Sequence, residues 1–265
     1  MGDKVIVEQH GAVLRIVLNQ PEAMNAIGPE MASRFAGIAA DAAADATVRC
    51  VVVTGAGPHF MAGGDIRYFS ELLGLAAAER DAKLGALVSD VGRAVTSLRT
   101  MAKPVIGAVR GAAAGFGFSL MCACDVVIAS DTVNCKLAYG QLGASPDGGG
   151  SYTLPRLLGV RRAMELALLD ERIDAQRALE LGLVSRVVAD AELDAAALAL
   201  AARLAAQPTA ALGRTKQLFY GSFDNDLAGQ IDAELQAFLA AAGSHDFSEA
   251  VTAFLGRRKP EFRGS

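Results

Sequence analysis

The sequence predicts an α/β fold in which a mostly parallel β-sheet body is followed by a helical C-terminal region. Short runs of β-branched residues that end in turn residues alternate with helical patterns over the first part of the chain, as in α/β proteins. From Arg161 onward the alanine-rich sequence favours helices. We therefore expect an α/β body over residues 1–190 and a helical region over residues 191–265.

Four short apolar runs are expected to form core strands, with helices between them. The strand predictions cover residues 12–18, 50–55, 104–109 and 125–130, and the helical patterns cover residues 29–44 and 81–98. Because strands and helices alternate, the sheet is predicted to be mostly parallel. In the C-terminal part of the chain, the helices are expected to break at Gly182, Pro208 and Gly243.

The composition argues against several classes of partner. The 265 residues carry a net charge of −4 and are 52% hydrophobic, which suits a globular protein with a substantial core and gives no basic footprint for nucleic acid. The longest uncharged apolar run, residues 111–124, is too short and too glycine-rich to span a bilayer. Ile6 stands where a myristoylation signal needs Ser or Thr. We expect neither a nucleic-acid partner nor membrane attachment.

The cysteines are not spaced like metal ligands. No two of them form a C-x-x-C pair, and none stands near a histidine at zinc-ligand spacing. We interpret them as reduced core residues of a cytoplasmic protein without a metal site. They are Cys50, Cys122, Cys124 and Cys135.

Three glycine-rich stretches follow predicted strands. They are FMAGGDI (residues 60–66), GAAAGFGFS (111–119) and PDGGG (146–150). A strand that ends in a glycine turn and opens into a helix leaves free backbone N–H groups that stabilise a negative oxygen. Two such turns that converge on one oxygen would form an oxyanion hole. For any one stretch taken alone, an ordinary strand–helix turn is the alternative.

Familiar glycine and nucleophile motifs do not explain these stretches. In GFGFSL, Leu120 replaces the third glycine of a dinucleotide fingerprint, and Met121 stands where a nucleophile elbow around Ser119 needs glycine. A serine hydrolase also needs a histidine base. His59 precedes the AGGD turn, but an isolated histidine beside a loop is more often structural. The other histidines are His10 and His245.

In order and spacing, the motifs together resemble those of the crotonase superfamily, the enoyl-CoA hydratase/isomerase fold. The resemblance implies a crotonase-like spiral of ββα units, with a helical C-terminal region that forms trimers, which often pair into hexamers. It extends over nearly the whole chain. The matching segments are residues 18–27 (LNQPEAMNAI), 60–66, 103–130, 146–166, 178–188 and 254–262 (FLGRRKPEF).

The resemblance also implies a site for acyl-CoA thioesters, whose enolate oxygen is held by two backbone N–H groups. By position, these donors belong to Gly64 and Phe116, and the Phe116 side chain is expected to narrow the acyl pocket. Coenzyme A is part of the substrate, so no separate cofactor and no metal are expected. The resemblance implies a CoA path that is lined by Ala23, Met24, Ala26, Ala62, Gly64 and Ile66. It also implies a C-terminal element with Phe254 and Lys259 that reaches the CoA of a neighbouring subunit. Alternatively, RRK at residues 257–259 is only a solvated basic face.

The residues at the family's two catalytic glutamate positions argue against a standard hydratase. By the same resemblance, these positions hold Ser119 and Tyr139. Unperturbed hydroxyl groups hold their protons too tightly to act as efficient general bases at neutral pH. An isomerase that moves a double bond from C3 to C2 needs only one acid/base group, since one carboxylate can take a proton from C2 and return it to C4.

Asp147 is the candidate for that single acid/base. It resembles the acidic residue of family isomerases with a PDxGG turn, including those of phenylacetate pathways. We expect an apolar pocket, with Phe69, Tyr139 and Phe116 as walls, in which desolvation raises the pKa of Asp147. The family also has a dehalogenase branch, which places a nucleophilic aspartate at a similar position. By the same resemblance this activity is disfavoured, because Gly92 stands where the dehalogenases have a histidine.

The sequence therefore favours an acyl-CoA isomerase for a 3-enoyl-CoA or a ring-containing analogue. The alternatives are an enoyl-CoA hydratase with non-standard catalytic residues and a non-catalytic CoA-binding scaffold. If Asp147 is not catalytic, it is a turn or helix-capping residue.

Overall fold

The computed structural model describes residues 2–265 and has an α/β architecture with two sheets. The larger sheet has six strands in the order β1-β2-β3-β4-β6-β9, and the smaller has three in the order β5-β7-β8. The strands are β1 Val5–His10, β2 Val13–Leu18, β3 Cys50–Gly55, β4 Val105–Val109, β5 Ala112–Ala114, β6 Val126–Ser130, β7 Asn134–Lys136, β8 Ile173–Asp174 and β9 Arg186–Val188.

Eleven α-helices connect and surround these strands over residues 2–265. They are α1 Pro29–Ala44, α2 Ile66–Leu72, α3 Ala77–Thr100, α4 Phe116–Ala123, α5 Gly150–Leu158, α6 Val160–Leu169, α7 Ala175–Glu180, α8 Leu193–Ala205, α9 Thr209–Gly221, α10 Leu227–Ala242 and α11 His245–Leu255. Short 3-10 helices lie at Pro21–Ala23, Gly140–Leu142 and Asp190–Glu192.

The prediction of a mostly parallel sheet is confirmed. In the larger sheet, β1 and β2 are antiparallel, and every other neighbouring pair is parallel. The predicted strand and helix segments are all present, although α3 begins four residues before the expected residue 81. Strands β1, β5, β7, β8 and β9 were not predicted, and β8 and β9 lie after Arg161, where helices were expected. Four of these strands have only two or three residues, and β1 is a mostly exposed edge strand whose sequence lacks the continuous apolar run of a core strand.

Helices cover both faces of the larger sheet. Since successive residues of a strand point to opposite sides, neighbouring residues of a central strand belong to different cores. Val51 and Val53 of β3 belong to the main core, which includes residues of α1 and α3. Cys50 and Val52 of the same strand belong to a second core that is completed by residues of α8. Helix α8, which lies in the predicted C-terminal helical region, therefore packs directly against the sheet.

The C-terminal helices break where expected. Helix α7 ends before Gly182, Pro208 precedes α9, and α10 ends before Gly243. Over residues 2–265 no single helix is long and apolar enough to cross a membrane, and one bent pair, Asp190–Ala205 with Thr209–Gly221, meets the criteria of length and composition only when its halves are combined.

Candidate active site

The glycine turn that follows β3 lies beside β5. The N–H of Ala114 donates to the carbonyl of Met61 at 2.9 Å, and an isolated parallel bridge pairs Met61 with Ala113. A β-carbon at Gly63 would lie 3.1 Å from the carbonyl oxygen of Ala114 and 3.6 Å from the nitrogen of Phe116. Gly63 also has φ +96°, a conformation that residues with a side chain rarely adopt. Glycine at this position therefore allows the two turns to approach each other.

Gly64 and Phe116 present unpaired backbone N–H groups at these two turns. Phe116 is the first residue of α4, a position whose N–H has no partner within the helix. Gly64 is bridged to Ile27 through its neighbours, since Ile27 donates to Gly63 and Asp65 donates to Ile27. In the part of the chain that the structure describes, neither N–H donates a backbone hydrogen bond. Both groups are available to a negatively charged oxygen.

Asp147 lies in a left-handed glycine turn at the start of α5. Gly148 and Gly149 have φ +54° and +76°, and the N–H of Gly150 donates to the Asp147 carbonyl at 3.0 Å. The ring of Phe116 packs against this turn: a β-carbon at Gly148 would lie 2.5 Å from its Cδ2 and Cε2 atoms. Phe116, whose side chain is expected to narrow the acyl pocket, is only 2% exposed. Phe116 thus offers a donor through its backbone and supports the acid turn through its side chain.

Hydroxyl groups connect Asp147 to α4. The phenol of Tyr139 donates to Oδ1 of Asp147 at 2.6 Å, and Ser119 Oγ lies 3.0 Å from the Tyr139 oxygen. Desolvation by burial raises the pKa of Asp147 above its ordinary value of 3.8, although the Tyr139 hydrogen bond opposes that shift. Burial also raises the pKa of Tyr139, so its phenol stays protonated at neutral pH. The direction of the Asp147 shift was expected from the sequence, whereas the hydrogen bonds were not.

Phe69, an expected pocket wall, packs against Gly64, one of the two donor residues. A β-carbon at Gly64 would lie 2.5 Å from Cζ of Phe69. The helix that carries Phe69 begins at Ile66, and the carboxylate of Asp65 caps it by accepting hydrogen bonds from the N–H groups of Arg67 and Tyr68. The AGGD turn therefore provides both a free N–H, at Gly64, and the N-cap of the helix that carries Phe69.

The expected CoA path forms a connected loop next to this turn. Ala23 ends a 3-10 helix, and the N–H of Ala62 donates to the carbonyl of Met24 at 3.0 Å. The side chains of Met24 and Ile66 are 46% and 52% exposed, so apolar surface faces solvent here. Ala26 closes the turn by donating to the carbonyl of Ala23 at 3.0 Å.

Asn25, which the sequence patterns did not single out, ties this loop to the glycine turn. Its side chain is fully buried, and its amide donates to the carbonyls of Ala56 and His59 at 2.9 and 2.8 Å. A buried amide with several backbone partners fixes the relative position of two loops. The only signal in the sequence was its place within the segment LNQPEAMNAI, residues 18–27. His59 has a structural contact as well, since its Nδ1 accepts from the N–H of Ala112 at 3.1 Å.

The C-terminal residues of the expected site lie on other elements. Phe254 is on α11, a helix that packs against α10, and it is 83% exposed. Lys259 follows α11 and is exposed. Their proposed contact with a neighbouring subunit's CoA stays a prediction. Among residues 2–265, no group of three or more histidine, cysteine or acidic side chains is arranged to hold a metal ion.

The cysteines lie in the core as expected. All four are free and buried. Burial raises the pKa of Cys50, Cys124 and Cys135 to about 12. These thiols are protonated at neutral pH, and none is suited to act as a nucleophile.

Comparisons with known proteins agree with this architecture. The sequence model of the family described as enoyl-CoA hydratase/isomerase matches residues 8–265. The chain is 37% identical over 260 residues to 1,2-epoxyphenylacetyl-CoA isomerase of Escherichia coli K12, a match that covers 95% of each protein. Among solved structures, it resembles an enoyl-CoA hydratase from Polaromonas sp. JS666, with a TM-score of 0.91, 36% identity, and 98% and 99% of the two chains covered.

A second solved structure carries a ligand. It is that of an enoyl-CoA hydratase family protein from Thermobifida fusca YX in complex with acetoacetyl-CoA. Its TM-score is 0.82 and its identity 39%, with 90% of this chain and 94% of that chain covered. These likenesses confirm the expected fold.

Proposed function

The chain belongs to the enoyl-CoA hydratase/isomerase family, and from this premise we propose that it is an acyl-CoA isomerase with Asp147 as its single acid/base. Its substrate would be a 3-enoyl-CoA or a ring-containing analogue, and its product the conjugated 2-enoyl thioester. One observation carries the proposal: a carboxylate stands at the glycine turn, while the two neighbouring catalytic positions hold hydroxyl groups. A site of this composition provides one base and no second carboxylate.

In the proposed reaction, ionised Asp147 removes a proton from C2 of the thioester. The electron pair of that C–H bond moves toward the thioester carbonyl, and the resulting enolate oxygen is stabilised by the N–H groups of Gly64 and Phe116. Asp147 then returns the proton to C4, and the double bond forms between C2 and C3. No atom is gained or lost, so no water or cofactor enters the balance.

The raised pKa of Asp147 supports this role. A base works best when its pKa approaches the working pH, because it must both accept and return the proton. Burial moves the Asp147 pKa in that direction from its ordinary value of 3.8. Hydration of a double bond, by contrast, requires a base that activates water. Tyr139 and Ser119 are both protonated neutral groups at pH 7 and are poorly suited to that task.

The exposed apolar surface of the C-terminal helices supports the expected assembly into a homotrimer or a dimer of trimers. No residue of α10 is buried within the chain, although this helix is rich in large apolar side chains. An apolar helix face of this length needs a partner. Light scattering of the purified protein tests the assembly, since a monomer would contradict it. The exposed large apolar side chains on α10 are Leu227, Ile231, Leu235, Phe238 and Leu239.

A second substrate class is supported by the similarity to 1,2-epoxyphenylacetyl-CoA isomerase. We therefore include ring-containing thioesters in the substrate panel. Hydration stays the rival reaction, since the resemblance to a solved enoyl-CoA hydratase is equally extensive.

The first experiment offers the purified protein 3-enoyl-CoA and 2-enoyl-CoA of matched chain lengths and follows the conjugated thioester by absorbance. We expect 2-enoyl-CoA to form, and Asp147→Asn to reduce turnover by about 10²-fold or more. Asp81→Asn, at an exposed position on α3, is the matched control and should retain full activity. Conversion of 2-enoyl-CoA to a hydroxyacyl product that Asp147→Asn leaves intact would refute the proposed mechanism. CoA binding without turnover of any thioester in the panel would instead indicate a scaffold.

A further inference from the structure

We propose that Tyr139, supported by Ser119, is a positioning residue for Asp147: the two hydroxyl groups form a directed relay that holds one carboxylate oxygen and leaves the other for the substrate. The inference rests on the proposed function, in which Asp147 moves the proton. It assigns a use to the two hydroxyl residues that replace the glutamates expected in a hydratase.

The direction of the relay follows from hydrogen-bonding chemistry. An ionised carboxylate only accepts, so the phenol of Tyr139 must be the donor in its 2.6 Å contact with Oδ1 of Asp147. With that proton committed, the Tyr139 oxygen can only accept from Ser119, whose Oγ lies 3.0 Å away. The shorter distance is in the range of charge-assisted O–H···O⁻ bonds. The proton order is therefore Ser119 to Tyr139 to Asp147.

Burial makes this order persistent. Ser119 and Tyr139 are 1% and 9% exposed, so bulk water does not compete for their hydroxyl groups. Ser119 also packs tightly on the first residue of α5, because a β-carbon at Gly150 would collide with its Oγ. Ser119 and Phe116 lie on the same helix, α4. Helix α4 therefore positions both Phe116, the proposed oxyanion donor, and Ser119, the first donor of the relay.

The backbone before Tyr139 is held in an uncommon conformation. Ala138 has φ +60°, a region that costs free energy for any residue with a β-carbon. Its N–H donates to Oδ1 of Asp170 at 2.7 Å, and Oδ2 of Asp170 lies 3.3 Å from the ammonium group of Lys136. This partly buried ion pair supports the strained residue and thereby directs the following Tyr139 side chain toward Asp147.

The relay has two consequences for the proposed reaction. Because Tyr139 occupies Oδ1, proton transfer falls to Oδ2. The hydrogen bond also favours the ionised carboxylate, which limits how far burial raises the Asp147 pKa. Among residues 2–265, Tyr139 is the only titratable side chain that contributes to this shift. Removal of the phenol hydroxyl should therefore raise the pKa and leave the carboxylate free to rotate.

The test measures the pKa of Asp147 by NMR of protein labelled with ¹³C at aspartate carboxyl groups, using Asp147→Asn to identify the resonance. In Tyr139→Phe we expect the pKa to rise by about one unit or more, which is the size expected for a lost charge-assisted hydrogen bond. Ser119→Ala should shift the pKa in the same direction by less. Tyr220→Phe is the matched control, because Tyr220 makes an equally short 2.6 Å bond to Asp125 outside the relay.

The kinetic arm follows the pH profile of isomerisation. Since Asp147 acts as its ionised form, a higher pKa moves the acid limb of kcat/KM to higher pH in Tyr139→Phe. On the plateau, kcat should fall about tenfold or more from lost orientation, with a smaller change in KM. An unchanged Asp147 pKa in both Tyr139→Phe and Ser119→Ala, with both variants folded, would overturn the relay. The NMR titration needs no turnover, so a wild-type protein inactive on the thioester panel would count against the proposed function alone.

Discussion

Alanine at position 148 should destabilise the protein through two separable effects. Gly148 has φ +54°, and the left-handed conformation costs a residue with a β-carbon about 1–2 kcal/mol. The added β-carbon would also lie 2.5 Å from two ring atoms of the buried Phe116. Overpacking of this kind typically costs about 1–3 kcal/mol. We therefore expect Gly148→Ala to lower the free energy of unfolding by about 2–5 kcal/mol.

Gly143→Ala separates the two effects. Gly143 has a similar φ of +63°, but a β-carbon added there would meet no other atom within 4 Å, so only the conformational cost of about 1–2 kcal/mol applies. The comparison uses urea unfolding followed by circular dichroism at a fixed protomer concentration, because self-association contributes to apparent stability. The difference between the two variants measures the contact between the Phe116 ring and the acid turn.

A double-mutant cycle with Phe116→Ala completes the experiment. If the Phe116 ring causes the extra cost, Gly148→Ala should be about 1–3 kcal/mol less destabilising in the Phe116→Ala background than in the wild type. Equal losses for Gly148→Ala and Gly143→Ala, with no coupling in the cycle, would refute the idea that Phe116 supports the acid turn.

Two further predictions concern ion pairs outside the site. Lys216→Met should cost about 3 kcal/mol in urea unfolding, because the Lys216 side chain is 8% exposed and its loss would leave the partly buried Asp125 carboxylate, 2.8 Å away, without its charged partner. Lys83→Met, which removes an exposed pair, should cost about 0.5 kcal/mol or less. Similar losses for the two variants would contradict this prediction. Hydrogen bonds from the Arg258 side chain and from the N–H of Glu261 lower the pKa of Glu249 from 4.5 to about 2. The stabilisation that these bonds give the fold is complete above pH 4.5 and is lost as the pH falls toward 2. In Arg258→Met, NMR titration should show a higher Glu249 pKa that still lies below its ordinary value, because the N–H of Glu261 continues to donate to Glu249 Oε1 at 2.8 Å. An unchanged pKa would rule out the Arg258 pair as a cause.

Local sequence patterns were sufficient for most of the fold. The buried strand Cys50–Gly55 and the helix Pro29–Ala44 have the predicted bounds. A fully buried strand leaves a continuous apolar run, and an amphipathic helix leaves a 3.6-residue period. The exposed edge strand Val5–His10 leaves a weak signal and was missed. The three-residue strands of the smaller sheet are too short for any period to be recognised.

For the candidate site, the sequence by itself determined the chemical groups available: glycine turns that free backbone donors, one carboxylate in PDGGG, and hydroxyl groups where a hydratase would have glutamates. Only the tertiary structure decided how they connect. Tyr139 and Asp147 are bonded at 2.6 Å, and the Phe116 ring packs on Gly148 from a different helix. Such contacts depend on the three-dimensional path of the chain between the elements. The strained conformation of Ala138, which sets the direction of the following Tyr139 side chain, leaves no periodic pattern in the sequence.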